Sequence, residues 1–230
     1  MKAEQISKHI WSLRSWLLIP CRVWLVQEED GVTLVDAGMP FMAKGILSHL
    51  EQLKLGELKQ IVLTHGHSDH VGAIKQILEQ KQVPVYAHTI EIPYMEGDQI
   101  YPRRKKAEKN VVKGLARPLP QDEHGALAPI GGLQPYLTPG HSPGHVVYYH
   151  EQDRVLLAGD LFTSKAGKLN RPMPMFTADM AEAVKSSVIV REIRPTHLEV
   201  CHGKPVKNPE EQLNEYLEKM GAAPLIPSRI

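Results

Sequence analysis

The most constraining feature of this sequence is a dense group of metal-binding side chains in residues 65–70, His-Gly-His-Ser-Asp-His. The group directly follows Ile61-Val62-Leu63, a short apolar run typical of a strand buried on both faces. An apolar helical pattern begins at Val71, so the group lies where a buried strand ends and a helix begins. This junction favours a metal site over a surface-exposed His-rich loop.

The spacing within this segment divides its ligands into two sets. His65 and His67 are two residues apart, so in an extended segment their side chains point to the same side. Asp69 and His70 fall on the first turn of the predicted helix and point away from that side. The segment therefore offers two ligands to one metal ion and two to a second ion.

Further candidate ligands lie beside other predicted strands. His141 and His145 lie in PGHSPGH, between two predicted strands. Asp160 follows an apolar strand pattern, and so does His202. Ligand sites in open α/β sheets gather at the ends of strands, so we expect these side chains to converge. Each alone is weak evidence, because a single buried His or Asp commonly has a structural role.

The apolar periodicity predicts two sheets, each covered by helices. The predicted strands span 6–14, 21–36 with a hairpin turn at 28–31, 61–63, 83–87, 133–137, 146–150, 155–158 and 198–200. The predicted helices span 41–54, 71–80, Thr177 or Asp179 to Arg191, and a closing segment around 213–220. A chain of 230 residues fits one domain, so we predict a single domain over 1–230.

Residues 93–128 interrupt the alternation of strands and helices. They contain four prolines, seven Lys or Arg and five Asp or Glu. Long segments of this kind in a compact domain are often lids. We predict a lid-like insertion here, with a solvated surface excursion as the alternative.

The charge and cysteine content exclude several classes of partner. Twenty-seven Lys and Arg against 26 Asp and Glu give a net charge of +1, which disfavours a nucleic-acid binder. Two cysteines cannot form a disulfide framework and suit a reducing compartment. The longest apolar stretch, 16–26, is too short to span a bilayer, and no signal peptide is visible. We therefore expect a cytoplasmic protein with no membrane or nucleic-acid partner.

The motifs, in their order along the chain, resemble the metallo-β-lactamase superfamily. They are Asp36 in VDAG, HGHSDH at 65–70, His141 in PGHSPGH, Asp160 in AGD and His202 in CHG. The resemblance implies an α/β fold, the αββα sandwich of two mixed β-sheets flanked by helices, with a dinuclear metal site at one edge.

The resemblance also implies a role for each residue of the site. His65, His67 and His141 are expected to bind the first metal, and Asp69, His70 and His202 the second. Asp160 is expected to bridge both, and Asp69 and Asp160 are the predicted catalytic residues. Asp36 and His145 are expected to support the ligands without binding metal. The implied cofactors are two divalent ions per chain, most simply Zn²⁺, with Fe or Mn as alternatives.

Two such cations can share a hydroxide that attacks a carbonyl. The combination of His70 with Asp160 resembles glyoxalase II and lactonases, which implies hydrolysis of an ester, thioester or lactone of a small molecule. Only 28 residues follow His202, fewer than the C-terminal domain of glyoxalase II needs. The alternatives are a mononuclear-iron thiol or persulfide dioxygenase and, with less support, a phosphodiesterase or ribonuclease with Arg103 to Lys106 as its basic arm.

Two segments are expected to flank the substrate. The 93–128 segment would contribute Tyr94, Met95 and Tyr101, and the segment after Asp160 would contribute Lys165, Lys168, Arg171, Met173, Met175 and Phe176. The alternative is that the apolar members of the second set fill the core. Cys21 and Cys201 are expected to be small buried apolar residues. Strand alternation predicts that Cys201 faces away from His202.

Overall fold

The first half of the chain builds one large sheet, seen in a computed structural model that describes residues 1–17 and 19–223. In these residues the sheet has seven strands, in the spatial order β1 to β7. The first four pair antiparallel, and β4 to β7 run parallel. The strands are β1 Lys2–Gln5, β2 Ile10–Leu17, β3 Ile19–Gln27, β4 Val32–Val35, β5 Leu58–Val62, β6 Val85–Ala87 and β7 Ala116–Pro118.

The second half of the chain forms a smaller mixed sheet. Its strands are β8 Gln134–Leu137, β9 Val146–His150, β10 Val155–Leu157, β13 His197–Glu199 and β14 Val206–Lys207. Their spatial order in the described chain is β14-β13-β10-β9-β8, and only β10 and β13 run parallel. A separate hairpin comprises β11 Thr163–Lys165 and β12 Lys168–Asn170.

The helices cover the outer faces of both sheets. They are α1 Ala43–Leu53, α2 Ser68–Val71, α3 Ile74–Leu78, α4 Ile92–Met95, α5 Met180–Ser186, α6 Ile189–Ile193 and α7 Pro209–Lys219. Two of them carry the apolar faces predicted from their periodicity: Ile46 and Leu50 of α1 are buried, and so are Leu213 and Leu217 of α7. The predicted helix 71–80 is interrupted at Gly72 and Ala73, between α2 and α3.

Two apolar clusters hold these layers together. The larger contains Trp24 and Leu34 of the first sheet, Ile46 of α1 and Tyr148 of the second sheet. The smaller joins the second sheet to α5, α6 and α7, where the Phe162 and Tyr216 rings meet edge to face. The layer order is therefore helices, sheet, sheet, helices, as expected for the αββα sandwich.

The sequence pattern missed the shortest strands. The predicted strand 6–14 begins at Ile10, and β1 is a separate edge strand. Strands β1, β7, β11, β12 and β14 have only two to four residues each, too few to show an alternating pattern. The strand β7 also lies inside the 93–128 segment, so residues 116–118 extend the first sheet.

The sheets bring the candidate ligands to one edge. Asp36 follows β4, the 65–70 motif follows β5, Asp160 follows β10, and His202 follows β13. The loop between β8 and β9 carries His141 and His145 to the same edge. None of the helices in residues 1–17 and 19–223 combines the length and apolar character needed to cross a bilayer.

The capping carboxylate of α5 gives a test of the local structure. Asp179 is exposed, and its Oδ1 accepts a hydrogen bond from Glu182 N at 3.0 Å, as its spacing predicts. Replacing Asp179 with Ala should lower the free energy of unfolding by about 1 kcal/mol, because one helix donor loses its partner. Asp179→Asn, which retains a capping oxygen, should cost less. Urea unfolding followed by circular dichroism measures both, and equal losses would contradict the capping role.

Candidate metal centre

Three imidazoles converge at the end of β5. His65 Nε2 lies 3.0 Å from His67 Nδ1, and His67 Nδ1 lies 3.0 Å from His141 Nε2. The three side chains are buried. In the neutral form each ring nitrogen without a proton is an electron-pair donor, so three such atoms facing one point form a cation-binding cluster. We call this group the three-histidine cluster.

A second group lies beside it and includes the carboxylate of Asp69. His202 Nε2 is 3.1 Å from Asp69 Oδ2 and 3.4 Å from Asp160 Oδ2. His70 Nε2 is 3.8 Å from Asp69 Oδ2. We call Asp69, His70 and His202 the mixed cluster. Its donor set of two imidazoles and a carboxylate suits zinc and other first-row divalent metals.

Asp160 lies between the two groups. Its Oδ2 is 3.4 Å from His141 Nε2 of the three-histidine cluster and 3.4 Å from His202 Nε2 of the mixed cluster. It lies three residues after the end of β10, the central strand of the second sheet, so both groups meet a carboxylate fixed by the core. This is the position that a bridging carboxylate would require.

Two buried polar atoms without hydrogen-bond partners indicate whether these residues fit a metal ion. In the described part of the chain, His70 Nε2 and Asp160 Oδ1 are buried without a hydrogen-bond partner, and they face each other at 3.6 Å. Leaving buried polar atoms unsatisfied is costly, so such pairs need an explanation. A cation held by the two clusters would satisfy both atoms, so the residues fit the two divalent ions that the motifs imply.

Asp36 orients His70 from behind. It is buried, and its carboxylate accepts hydrogen bonds from Thr64 N at 2.8 Å, Thr64 Oγ1 at 2.7 Å and His70 Nδ1 at 2.7 Å. The hydrogen on Nδ1 leaves Nε2 as the free nitrogen directed at the mixed cluster. A carboxylate behind a histidine ligand fixes its tautomer and increases its basicity. This contact supports the role predicted for Asp36.

His145 faces the loop of Asp160 without contributing a free nitrogen. Its Nε2 accepts the backbone N–H of Asp160 at 3.2 Å, and its Nδ1 lies 2.9 Å from Thr138 Oγ1. Both ring nitrogens are therefore engaged by hydrogen bonds. The geometry agrees with a supporting role, in which the imidazole holds the turn that presents Asp160.

The two clusters have opposite electrostatic characters. Burial is the main cause that lowers the pKa of His65 and of His141 well below the usual value, so both imidazoles are neutral near pH 7. In the mixed cluster burial acts to lower the pKa of His202, but the charges of Asp160 and Cys201 and the hydrogen bonds to Asp160 and Asp69 together raise that pKa. Burial likewise acts to raise the pKa of Asp69, but the charge of His70 and the hydrogen bond from His202 hold it at about 2. Asp69 and the neighbouring Asp160 thus stabilise positive charge on His202.

A cavity of about 460 Å³ opens onto both clusters. Its wall is largely apolar, and it includes Leu17 and Ile19 from the β2–β3 hairpin as well as Phe176. These three side chains remain 53%, 41% and 38% exposed. Arg104 also lines the cavity, with its guanidinium 5.3 Å from the centre of the Phe176 ring and 3.5 Å from Glu108.

Only some of the residues expected to flank the substrate line this cavity. Met173 and Phe176 line the cavity as expected. Lys165 and Lys168 instead lie on the exposed β11–β12 hairpin, and Met95 is fully buried in the core. The remaining expected residues, Tyr94, Tyr101, Arg171 and Met175, are absent from the cavity lining. The β2–β3 hairpin was missed because its approach to the site is a tertiary contact.

The expected orientation of Cys201 was wrong. Cys201 is buried as predicted, but its sulfur lies within 4.8 Å of the ligand atoms of His70, Asp160 and His202. Its sulfur is also 3.8 Å from that of Cys21. The strand β13 ends at Glu199, so side-chain alternation no longer applies at residue 201.

Two supporting side chains were not recognised as such from the sequence. Glu91 is fully buried between the loops of His67 and His141. Thr177 was a candidate helix cap, but Asp179 caps α5, and Thr177 Oγ1 lies 3.3 Å from His141 Nδ1. The one available signal for Glu91 was an acidic residue four positions after the end of the buried strand β6.

Comparison with known proteins identifies the family. The sequence pattern of the metallo-beta-lactamase superfamily matches residues 17–196. The chain belongs to the metallo-beta-lactamase superfamily. The resemblance carried by the five motifs is confirmed.

Relatives and solved structures of this superfamily extend the match. A probable metallo-hydrolase of Bacillus subtilis, YybB, is 37% identical over 221 residues, which cover 94% of this chain and 98% of that protein. A hydroxyacylglutathione hydrolase of Pseudomonas fluorescens is 30% identical over 162 residues, or 68% of this chain and 53% of that protein. A metallo beta lactamase structure from Erythrobacter litoralis aligns with a TM-score of 0.74 at 18% identity, covering 94% of this chain and 96% of that one. This likeness confirms the αββα fold.

The neutral state of His145 predicts how acid affects this superfamily member without metal. Burial lowers the pKa of His145 to about 3, whereas an unfolded histidine has a pKa of about 6.5. Between these values the unfolded chain binds a proton that the folded chain excludes. His145 should therefore make the free energy of unfolding fall as pH falls, by about 1.4 kcal/mol per pH unit.

Urea unfolding of the chelator-treated protein at several pH values between 7 and 5 measures this slope. The matched variant is His145→Gln, whose amide oxygen can still accept the Asp160 N–H. Below about pH 5.5, where an unfolded histidine is almost fully protonated, its slope should be shallower than that of the wild type by close to one proton. Identical slopes would show that His145 is not held neutral.

Proposed function

We propose that this chain, a metal-dependent hydrolase by its family and relatives, holds two divalent cations and cleaves an ester, thioester or lactone of a small molecule. The observation that carries the proposal is the pair of buried ligand clusters sharing Asp160, with His70 Nε2 and Asp160 Oδ1 unsatisfied between them. Two cations at these positions would supply polarisation of a carbonyl and activation of water.

The chain's own residues would position both reactants. Asp36 keeps His70 in one tautomer, and Asp160 supplies the negative charge that offsets two neighbouring cations. The apolar wall of Leu17, Ile19 and Phe176 would exclude water from the cavity and bind an apolar substituent of the substrate. The substrate class we favour therefore carries an aliphatic or aromatic group beside its scissile carbonyl.

The contacts of the basic segment argue against a nuclease. Arg103 donates to the carbonyl oxygens of Pro174 and Thr177, and Arg104 pairs with Glu108 and stacks on Phe176. Two of the four cations in 103–106 are thus committed to contacts within the chain. Phosphate recognition would need free positive charge around the scissile group.

The mixed cluster argues against a mononuclear dioxygenase. A single iron would need only one set of ligands, whereas Asp69, His70 and His202 form a second complete set beside the three-histidine cluster. Oxygen uptake with a thiol substrate would instead favour the mononuclear-iron dioxygenase over the hydrolase.

The metal content tests the two-cation proposal. Elemental analysis after expression with added metal should find two zinc, iron or manganese ions per chain. Asp160→Asn should lose at least one of them, because removing the shared charge leaves two cations repelling each other. Asp179→Asn, an exposed residue outside both clusters, is the matched control and should retain both. Full occupancy in Asp160→Asn would contradict the bridging role.

A substrate panel tests the reaction class. The zinc-loaded protein should hydrolyse lactones, esters or thioesters faster than a β-lactam or a bis-aryl phosphodiester. Within an ester series, KM should fall by up to about fourfold per added methylene, since burial of each CH₂ contributes about 0.8 kcal/mol. Phosphodiester turnover above every ester would move the protein to the nuclease branch.

Two variants connect this chain-length dependence to the cavity. Ile19 and Leu137 are both 41% exposed, but only Ile19 lines the cavity. Ile19→Ser should flatten the dependence of KM on acyl length, whereas Leu137→Ser should leave it unchanged. An equal effect of both variants would exclude the β2–β3 hairpin as the acyl-binding wall.

A further inference from the structure

Glu91 is a fully buried carboxylate at the start of α4, outside both ligand clusters. Within the described chain no Lys, Arg or His nitrogen lies within ion-pair distance of it. Burying a carboxylate without a counterion is costly unless hydrogen bonds compensate it. The hydrogen-bond partners of Glu91 therefore indicate its role.

Four hydrogen bonds compensate the charge, two on each oxygen. Oε1 accepts from Gly66 N at 2.9 Å and from Tyr101 Oη at 2.7 Å. Oε2 accepts from Ser142 Oγ at 2.9 Å and from Gly144 N at 2.8 Å. Each oxygen thus combines one backbone donor from a ligand loop with one hydroxyl group.

Three of these donors, Gly66, Ser142 and Gly144, belong to the two loops that build the three-histidine cluster. Gly66 lies between His65 and His67, and Ser142 follows His141 directly. The loops are 74 residues apart in sequence, yet His67 Nδ1 and His141 Nε2 must be held 3.0 Å apart. A single carboxylate that binds both loops fixes this distance from behind.

The two loops also pack tightly against residues 91–101, which include Glu91, Met95 and Tyr101. A Cβ on Gly144 would lie 2.5 Å from Glu91 N and 2.7 Å from Glu91 Cβ, and a Cβ on Gly66 would collide with Met95 and Tyr101. Both loops therefore approach the segment as closely as only glycine permits. Little room remains for the loops to shift if the carboxylate is changed.

Tyr101 extends this arrangement into the 93–128 segment. Its hydroxyl donates to Glu91 Oε1, and its ring centroid lies 4.9 Å from that of His67. Asn110 of the same segment donates to Gly66 O at 2.9 Å. The 93–128 segment thus contacts the first ligand loop at two points. Tyr101 shares Glu91 Oε1 with Gly66 N, and Asn110 binds Gly66 O.

We propose that Glu91 is a positioning residue that sets the affinity of the three-histidine cluster for metal, with Tyr101 linking the 93–128 segment to the same carboxylate. A carboxylate is required because all four partners are donors, and the NH₂ of a glutamine would face two of them. The inference rests on the metal-binding role proposed above. Mutation of a residue that supports metal ligands from behind typically weakens metal binding by 10- to 100-fold.

The experiment measures zinc affinity of the full chain by competition with a chromophoric chelator, in the absence of substrate. Glu91→Gln should weaken the binding of one of the two ions by about 10- to 100-fold. Tyr101→Phe, which removes one donor and leaves the loop contacts, should weaken the same ion by less. Saturating zinc should restore occupancy in both variants, which a misfolded protein would not show.

The matched control is Glu96→Gln. Glu96 is also a buried glutamate of this segment, and it accepts a hydrogen bond from Gly114 N at 2.7 Å, but it contacts no ligand loop. Its zinc affinity should equal that of the wild type. If Glu91→Gln does not fold, Ser142→Ala and Tyr101→Phe replace it in the experiment. Each removes one hydroxyl donor to Glu91 and should weaken zinc binding.

The outcomes separate this inference from the proposed function. Wild-type zinc affinity in Glu91→Gln, or an equal loss in Glu96→Gln, would overturn the role of Glu91. A wild type that binds two ions and hydrolyses no ester would overturn the proposed reaction and leave Glu91 in place. A wild type that binds no metal would overturn both.

Discussion

The carboxylate of Asp160 is the charge around which the site is arranged. It lies 3.4 Å from an imidazole nitrogen of each cluster, and burial prevents water from screening it. The surrounding imidazoles hold its pKa well below the usual value, so it is charged at any physiological pH. The central strand β10, the hydrogen bond from Asp160 N to His145 and the orientation of His70 by Asp36 all act to keep that charge in place.

The candidate ligand motifs could be predicted from the sequence because they are local. The 65–70 segment carries its candidate ligands within six residues, and the apolar run before it defines the strand end that presents them. The other candidate ligands follow or precede recognisable strands, so their convergence at one edge follows from the sheet order. The layer order of the fold follows equally from the amphipathic faces of α1 and α7.

Some of the residues that support the candidate ligands and some that line the cavity could not be predicted, because they depend on contacts between distant segments. Glu91 binds backbone N–H groups of Gly66 and Gly144, and no residue type marks which backbone groups will meet a given carboxylate. Leu17 and Ile19 reach the cavity only because β2 and β3 extend past the sheet edge. Cys201 turned toward the ligands because β13 ended one residue earlier than its apolar pattern indicated.

The separation of the candidate ligands along the chain has a consequence for stability. They come from segments between residues 65 and 202, so metal binding would join parts of the chain that are far apart in the unfolded state. Each bound ion would act as a cross-link, and closing long loops removes much conformational entropy from the unfolded chain. Ions that bind only the folded chain also stabilise it by mass action. Metal supply in the cell would therefore determine how long the protein survives proteolysis as well as how fast it works.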